Sequence, residues 1–201
     1  MTVERLLSHP DIVRLARALQ EHPGKTQDAE PPARWAAIAV VIRPQRGGEP
    51  ELLMIKRAEI LGDPWSGHVA CPGGRVEPGD RDLAHTAIRE TLEETGIDLE
   101  RDGKMLGTLD DLSPRTPMLP PIVIRPFVAA VPSTVQIVAS PEVAEAFWVP
   151  LSALRAEAAW STSTVKVRGV DREELSFRHD NYMVWGLTHR VLRQLLELMG
   201  T

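Results

Sequence analysis

One stretch constrains this chain more than any other: Arg89 to Gly96, RETLEETG. Read as a helix, it puts Glu90, Glu93 and Glu94 on a single stripe, with Glu93 about 60° to one side of Glu90 and Glu94 about 40° to the other. Like charges three and four positions apart on a helix repel. A fold that carries this helix must therefore keep the stripe hydrated or supply cations to it. The helix is expected from about Asp82 to Thr95, capped by Asp80 or Asp82 and ended by Gly96. On the same wheel Ala84, Ile88 and Leu92 fall opposite the acids. The expected arrangement lays that apolar face on a sheet and turns three carboxylates outward, a spacing suited to hard divalent cations that take oxygen and water ligands. A solvated acidic face, with Glu93 or Glu94 paired to Arg89 at little gain, is the competing reading. The preceding loop, PGGRVEPGD, favours the cation, because its glycines let backbone groups approach a ligand closely.

The rest of the chain suits a layered α/β domain. At 201 residues and 43% hydrophobic content there is enough for one sizeable core. Residues 3 to 21 read as helix broken near Pro10, and a polar, proline-rich linker runs from 21 to 34, so residues 1–33 are expected as a helical extension and 34–201 as the main domain. WAAIAVVIRP (35–44) and PELLMIKRA (50–58), separated by QRGGE, read as a hairpin. Further strands are expected at 104–112, 122–131 and 146–151, with DREE (171–174) as the turn of a second hairpin over 163–178. NYMVWGLTHRVLRQLLELMG (181–200) reads as one long amphipathic helix.

Composition excludes several classes. A single cysteine, Cys71, rules out an internal disulfide framework and reads as a small core residue. A formal charge of -5 argues against gripping a nucleic-acid backbone through net charge. No apolar run approaches membrane length, and the first twenty residues lack a signal-peptide core, so no membrane partner and a cytoplasmic address are expected. The N-terminal helix and an exposed tryptophan could serve a homodimer.

GGRVEPGDRDLAHTAIRETLEETGI, Gly73 to Ile97, resembles the Nudix box, the loop-and-helix motif of hydrolases that cleave nucleoside diphosphates linked to another group. Gly74 takes the first glycine position of that pattern, and Asp80 stands where glutamate is usual. Eight residues rather than seven separate Asp80 from Arg89, and Thr91 fills the aliphatic slot. The resemblance implies a Nudix α/β/α sandwich with a mixed β-sheet, and attack of water on phosphorus assisted by Mg²⁺ or Mn²⁺. It assigns Glu90 and Glu94 as metal ligands, Glu93 as a further or outer ligand, the Gly74 carbonyl as another donor, and Arg89 as the residue that orients the acids. Glu142, in SPEVAEAFWVP, is the preferred candidate base, ahead of Glu145.

PGGRVEPGDRDLAHTAIRE is similar to the coenzyme A pyrophosphatase branch of the family, as are the upstream LLMIKRAEILGDPWSGHVACPGG, Leu52 to Gly74, and YMVWGLTHRVL, Tyr182 to Leu192. The upstream segment departs from the branch at Ala58, His68 and Cys71, where serine, glutamine and phenylalanine are usual. Candidate substrate contacts are Arg57 and Arg75, which can grip phosphate in a bidentate way, with His68 beside Gly67 and Trp65 as a stacking surface. Lys56 is a weaker candidate. The implied partner is a small nucleotide diphosphate, coenzyme A or its thioesters first. Other nucleotide diphosphate derivatives, modified nucleoside triphosphates and a non-catalytic Nudix-fold binding module are the alternatives; the last sits poorly with an intact set of box carboxylates.

Overall fold

The computed structural model describes residues 6–28, 34–45, 48–61, 65–114, 121–167 and 169–200. In chain order its elements are α1 (Pro10–Glu21), β1 (Arg34–Arg43), β2 (Glu51–Arg57), β3 (Val69–Ala70), β4 (Gly73–Arg75), α2 (Leu83–Thr95) and α3 (Leu99–Asp102). There follow β5 (Lys104–Thr108), β6 (Ile122–Ala130), β7 (Val143–Pro150), α4 (Leu151–Arg155), β8 (Trp160–Val167), β9 (Val170–His179), β10 (Tyr182–Trp185) and α5 (Gly186–Leu198).

The centre of the molecule is the parallel pair β1 and β6, in register from Arg34 opposite Ile122 to Ile42 opposite Ala130. Both strands are apolar almost throughout, as strands covered on both faces must be. β5 extends the sheet antiparallel to β6, and β7 lies antiparallel along β2. The expected hairpin of β1 and β2 closes only at its turn end, where Ile42 faces Leu52 and Arg43 faces Glu51. Beyond those pairs the strands splay, and the chain fills the opening itself: β3 pairs with β2 and β4 with β1. The splay brings the Gly73–Gly74 backbone to the mouth of the sheet, so the mixed seven-stranded sheet is also what positions the glycine-rich loop.

Helices cover both faces. On one side Ala37, Ala39 and Val41 of β1 pack with Ala87, Ile97 and Leu99, which places α2 there. On the other, Val40, Ile42, Leu52 and Met54 pack with Leu15 and Leu19 of α1 and Leu192 and Leu195 of α5. The result is the expected α/β/α sandwich. α1 contributes its buried face, Ile12, Leu15 and Leu19, to this common core. The segment after it is strapped down, with Gly24 N donating to Thr108 O at 3.2 Å and Gln27 N to Asp111 Oδ2 at 2.8 Å. The buried Asp111 carboxylate in turn takes both Nε and Nη2 of Arg125 at 2.8 Å.

Two expectations are corrected at the C-terminal end. Residues 182–185 form β10 rather than the first turn of a helix, pairing Tyr182 to Trp185 with His179 to Ser176. Tyr, Val and Trp favour a pleated surface, and Gly186, at φ 66, lets the chain leave the strand before α5 begins. DREE is not a turn either. It lies in β9, with Glu173 beside Thr164 of β8, and the bend falls near Gly169 at φ 82. β8, β9 and β10 make a separate antiparallel sheet of three strands.

Candidate active site

The two glycines of the loop are sterically required. Gly73 has φ 152, and a Cβ there would overlap the Ala37 carbonyl; one on Gly74 would overlap Glu90 Oε1. The loop therefore runs directly against α2, and Gly73 N donates to Glu94 Oε2 at 2.9 Å.

α2 is rotated relative to the expected wheel. Its buried residues are Thr86, Ala87, Thr91, Glu94 and Thr95, whereas Leu92 is 44% exposed. Small side chains explain the choice, since alanine and threonine allow the helix to approach the sheet. The buried hydroxyls return to the helix's own carbonyls, Thr91 Oγ1 to Ala87 O at 2.7 Å and Thr95 Oγ1 to Thr91 O at 2.6 Å. The consequence is electrostatic. The stripe does not point outward as a unit, because Glu93 faces solvent while Glu94 is 4% exposed.

Helix ends fix the register. Asp82 is the N-cap, accepting from His85 N at 2.8 Å, and Gly96 closes the helix at φ 71. That releases Asp80 for another role, one that sequence reading did not assign. Asp80 Oδ1 accepts from Arg89 Nε at 2.9 Å and its Oδ2 from Arg89 Nη2 at 3.0 Å. Glu77 N and Thr86 Oγ1 donate to Oδ2 at 2.9 Å, and His85 Nδ1 lies 3.1 Å from Oδ1. Arg89, first among these, holds the Asp80 carboxyl well below the usual carboxylate range, and Asp80 raises the Arg89 guanidinium in return. The remaining Arg89 donors reach Glu90 Oε1, Glu93 Oε2 and Arg75 O, each at 3.0 Å. The signal that could have found Asp80 was its place in the box pattern, where an acid is usual.

Glu94 stands under the opposite field. Burial pushes its carboxyl up to about 7, against the pull of the Gly73 amide, with Glu90 and Glu142 raising it further and Arg57 lowering it. Glu90 is also raised, again chiefly by burial. Glu142 and Arg57 thus border the cluster from the adjoining strand ends. Glu142 O accepts from Ala58 N at 2.8 Å, and the loop before it is pinned to the end of α2 by Ser140 N to Glu94 O at 3.1 Å.

Of the residues anticipated from sequence, Glu90, Glu93, Glu94, Arg89 and Gly74 meet at one place, with Arg57 and Glu142 at its border. Arg75 joins through its backbone carbonyl, its residue being exposed. His68 and Trp65 belong to a separate aromatic group: their rings are 5.7 Å apart, and His68 lies 4.7 Å from Trp185 of β10. Cys71 is buried and its thiol is pushed up to about 12 by burial, which suits a core residue.

Among the described residues no three carboxylate, imidazole or thiol groups converge as a finished metal cage. Arg89 draws Glu90 and Glu93 to itself while Gly73 engages Glu94. The donor chemistry nonetheless fits a hard divalent ion: a buried carboxylate raised by like charges beside it gains most from a cation among them. Glu90, Glu93, Glu94 and the Gly74 backbone could hold one. Among the described residues no helix is long and apolar enough to cross a membrane.

A splayed mixed sheet, a glycine-rich strap and a carboxylate helix braced by arginine together define a Nudix domain. The NUDIX domain family model matches residues 32–167, and the chain belongs to that family; it is a Nudix hydrolase, acting on phosphoric anhydrides. Members of the family generally use divalent metal ions. Among the curated relatives, an uncharacterized Nudix hydrolase, NudL, of Photorhabdus laumondii is 30% identical over 167 residues, 82% of this chain and 84% of that protein. NudL of Yersinia pestis is 30% identical over 80% of this chain and 76% of its own. Among solved structures, a MutT/nudix family protein from Enterococcus faecalis superposes with TM-score 0.53 at 15% identity, covering 87% of this chain and 70% of that one.

Proposed function

We propose that this enzyme is a Mg²⁺- or Mn²⁺-dependent pyrophosphohydrolase that cleaves coenzyme A or acyl-coenzyme A to 3′,5′-ADP and (acyl-)4′-phosphopantetheine. The observation that carries the metal-dependent reading is Glu94, a buried carboxylate raised by the acids around it. The substrate rests on the resemblance of Leu52 to Gly74 and Tyr182 to Leu192 to the coenzyme A branch. Glu90, Glu93 and Glu94 hold the cations, with the Gly74 carbonyl as a further donor. When bound, the cations neutralise the diphosphate oxygens and lower the pKa of a water. Arg89, itself locked by Asp80, sets the directions of Glu90 and Glu93. Arg57 and Arg75 meet the diphosphate, His68 and Trp65 contact the substrate beyond it, and Glu142 accepts the proton of the attacking water on a carboxylate oxygen.

A chromatographic product screen tests this reading, with Mg²⁺ or Mn²⁺ and coenzyme A, acetyl-coenzyme A, ADP-ribose, diadenosine polyphosphates and oxidised dGTP as substrates. Release of 3′,5′-ADP from coenzyme A is the expected result. Turnover confined to the other substrates would overturn the substrate, and no turnover on any of them would count against hydrolysis of this class.

A further inference from the structure

On the sheet face opposite α2, a cavity of about 560 Å³ opens between the β2–β3 end of the main sheet and the C-terminal three-stranded sheet. Lys56, His68, Glu145, Lys166, Tyr182 and Trp185 contribute to its wall. Lys166, Tyr182 and Trp185 have no part in the chemistry above. Its volume falls within the range of small-molecule sites, roughly 300–1,000 Å³.

The wall is built from two kinds of surface. One is aromatic: Trp185 and His68 meet at 4.7 Å with their planes tilted by 58°, and Tyr182 is stacked on Phe147 at 3.8 Å. The other is cationic. Glu145, the carboxylate on this wall, is engaged by the Tyr182 hydroxyl, which is pushed up to about 12 mainly by that hydrogen bond. It also stands opposite Lys56 across the β2–β7 pair. Lys166 lies on the exposed side of β8, and among the described residues no carboxylate comes within ion-pair distance of its ammonium. Two ammonium groups against one occupied carboxylate give this wall a positive balance in a chain whose net charge is -5. Flat rings beside ammonium groups match a ligand that is itself flat at one end and anionic at the other. Location supplies the rest. Lys56 directly precedes Arg57, whose charge acts on Glu94, so the cavity and the carboxylate cluster meet around the end of β2.

We infer that this cavity is the subsite for the nucleotide half of the diphosphate substrate, with the base against Trp185 and His68 and a phosphate group on Lys56 and Lys166. The C-terminal sheet is then a specificity element. The inference takes its ligand from the pyrophosphohydrolase reading, but binding and turnover separate the two.

The direct test is binding of adenosine 3′,5′-bisphosphate to the full chain without metal, followed by tryptophan fluorescence and calorimetry. Wild type should bind it, and Lys166→Ala and Lys56→Ala should each weaken binding about tenfold, the scale of one lost charged hydrogen bond. Lys104→Ala, on the distant strand β5, should bind as wild type. Trp185→Phe should remove most of the fluorescence change. No binding by wild type, unchanged binding in both cavity variants, or equal weakening by Lys104→Ala would each overturn the subsite. Metal-dependent turnover with an unaltered KM in Lys166→Ala would also overturn it while leaving the hydrolase reading intact. Lysine-dependent binding without turnover would do the reverse.

Discussion

Asp80 and Glu94 are two acids of the same motif, both withdrawn from solvent, and they are treated in opposite ways. The Asp80 side chain, 1% exposed, is surrounded by donors and held ionised. Glu94, 4% exposed, has a backbone amide and a neighbourhood of like charge, and is pushed up to about 7. One carboxylate spends its charge on holding the loop to the helix. The other keeps its charge available at a cost in stability, the pattern expected where a fold is strained for function. The comparison teaches that burial of an acid says little until its donors are counted.

The largest effect should come from Glu94→Gln, which keeps the helix former and removes the charge. Metal-dependent turnover should fall about a thousandfold, the scale of several kcal/mol in transition-state stabilisation. The same variant should leave the metal-free fold as stable as wild type at pH 5 and more stable at pH 8. A raised carboxyl is protonated in the folded state while still ionised in the unfolded one, so wild-type stability falls as pH rises from about 4.5 through about 7. Urea unfolding in the presence of a chelator checks this, and a destabilised variant at pH 8 would break the comparison.

Next comes Asp80→Ala, which strands Arg89 and should destabilise the domain by about 3 kcal/mol in urea unfolding. If stability is unchanged, Asp80 is not the brace. Third is the acid limb. A depressed carboxyl contributes stability that is complete above its unfolded value of about 4 and is lost as pH falls below it. Wild type should therefore lose more stability between pH 5 and pH 2.5 than Asp80→Asn, whose curve would coincide with wild type if the ion pair contributed nothing. The smallest effect belongs to Gly74→Ala, because the Glu90 side chain it would strike can move. Turnover should drop about tenfold with under about 1 kcal/mol lost in stability; full activity would remove Glu90 from the site.

Much of this contrast was legible in the sequence, and the rest was hidden for physical reasons. RETLEETG announces a helix end and its acids, and Gly96 fulfils the cap written into it. Helical periodicity, however, ranks positions by polarity, so it set Leu92 inside and Glu94 outside, whereas close packing selected Ala87, Thr91 and Thr95 for the sheet. Asp80 was visible only as a deviation from a motif, because its partner Arg89 lies nine positions on and is brought near by the turn at Glu77 to Asp80. At the C-terminal end the 181–200 pattern was read with one period, although aromatic and branched residues before Gly186 belong to a strand. The cavity beside Trp185 had no linear signature, since its walls come from five separated strands.

The most direct measurement is a Mn²⁺ titration followed by electron paramagnetic resonance on wild type, Glu94→Gln and Asp80→Asn. If the cluster around Glu94 holds the ion, wild type binds Mn²⁺, Glu94→Gln loses at least about tenfold in affinity, and Asp80→Asn retains more of it than Glu94→Gln. Equal affinity for wild type and Glu94→Gln would contradict the division of roles between the two acids.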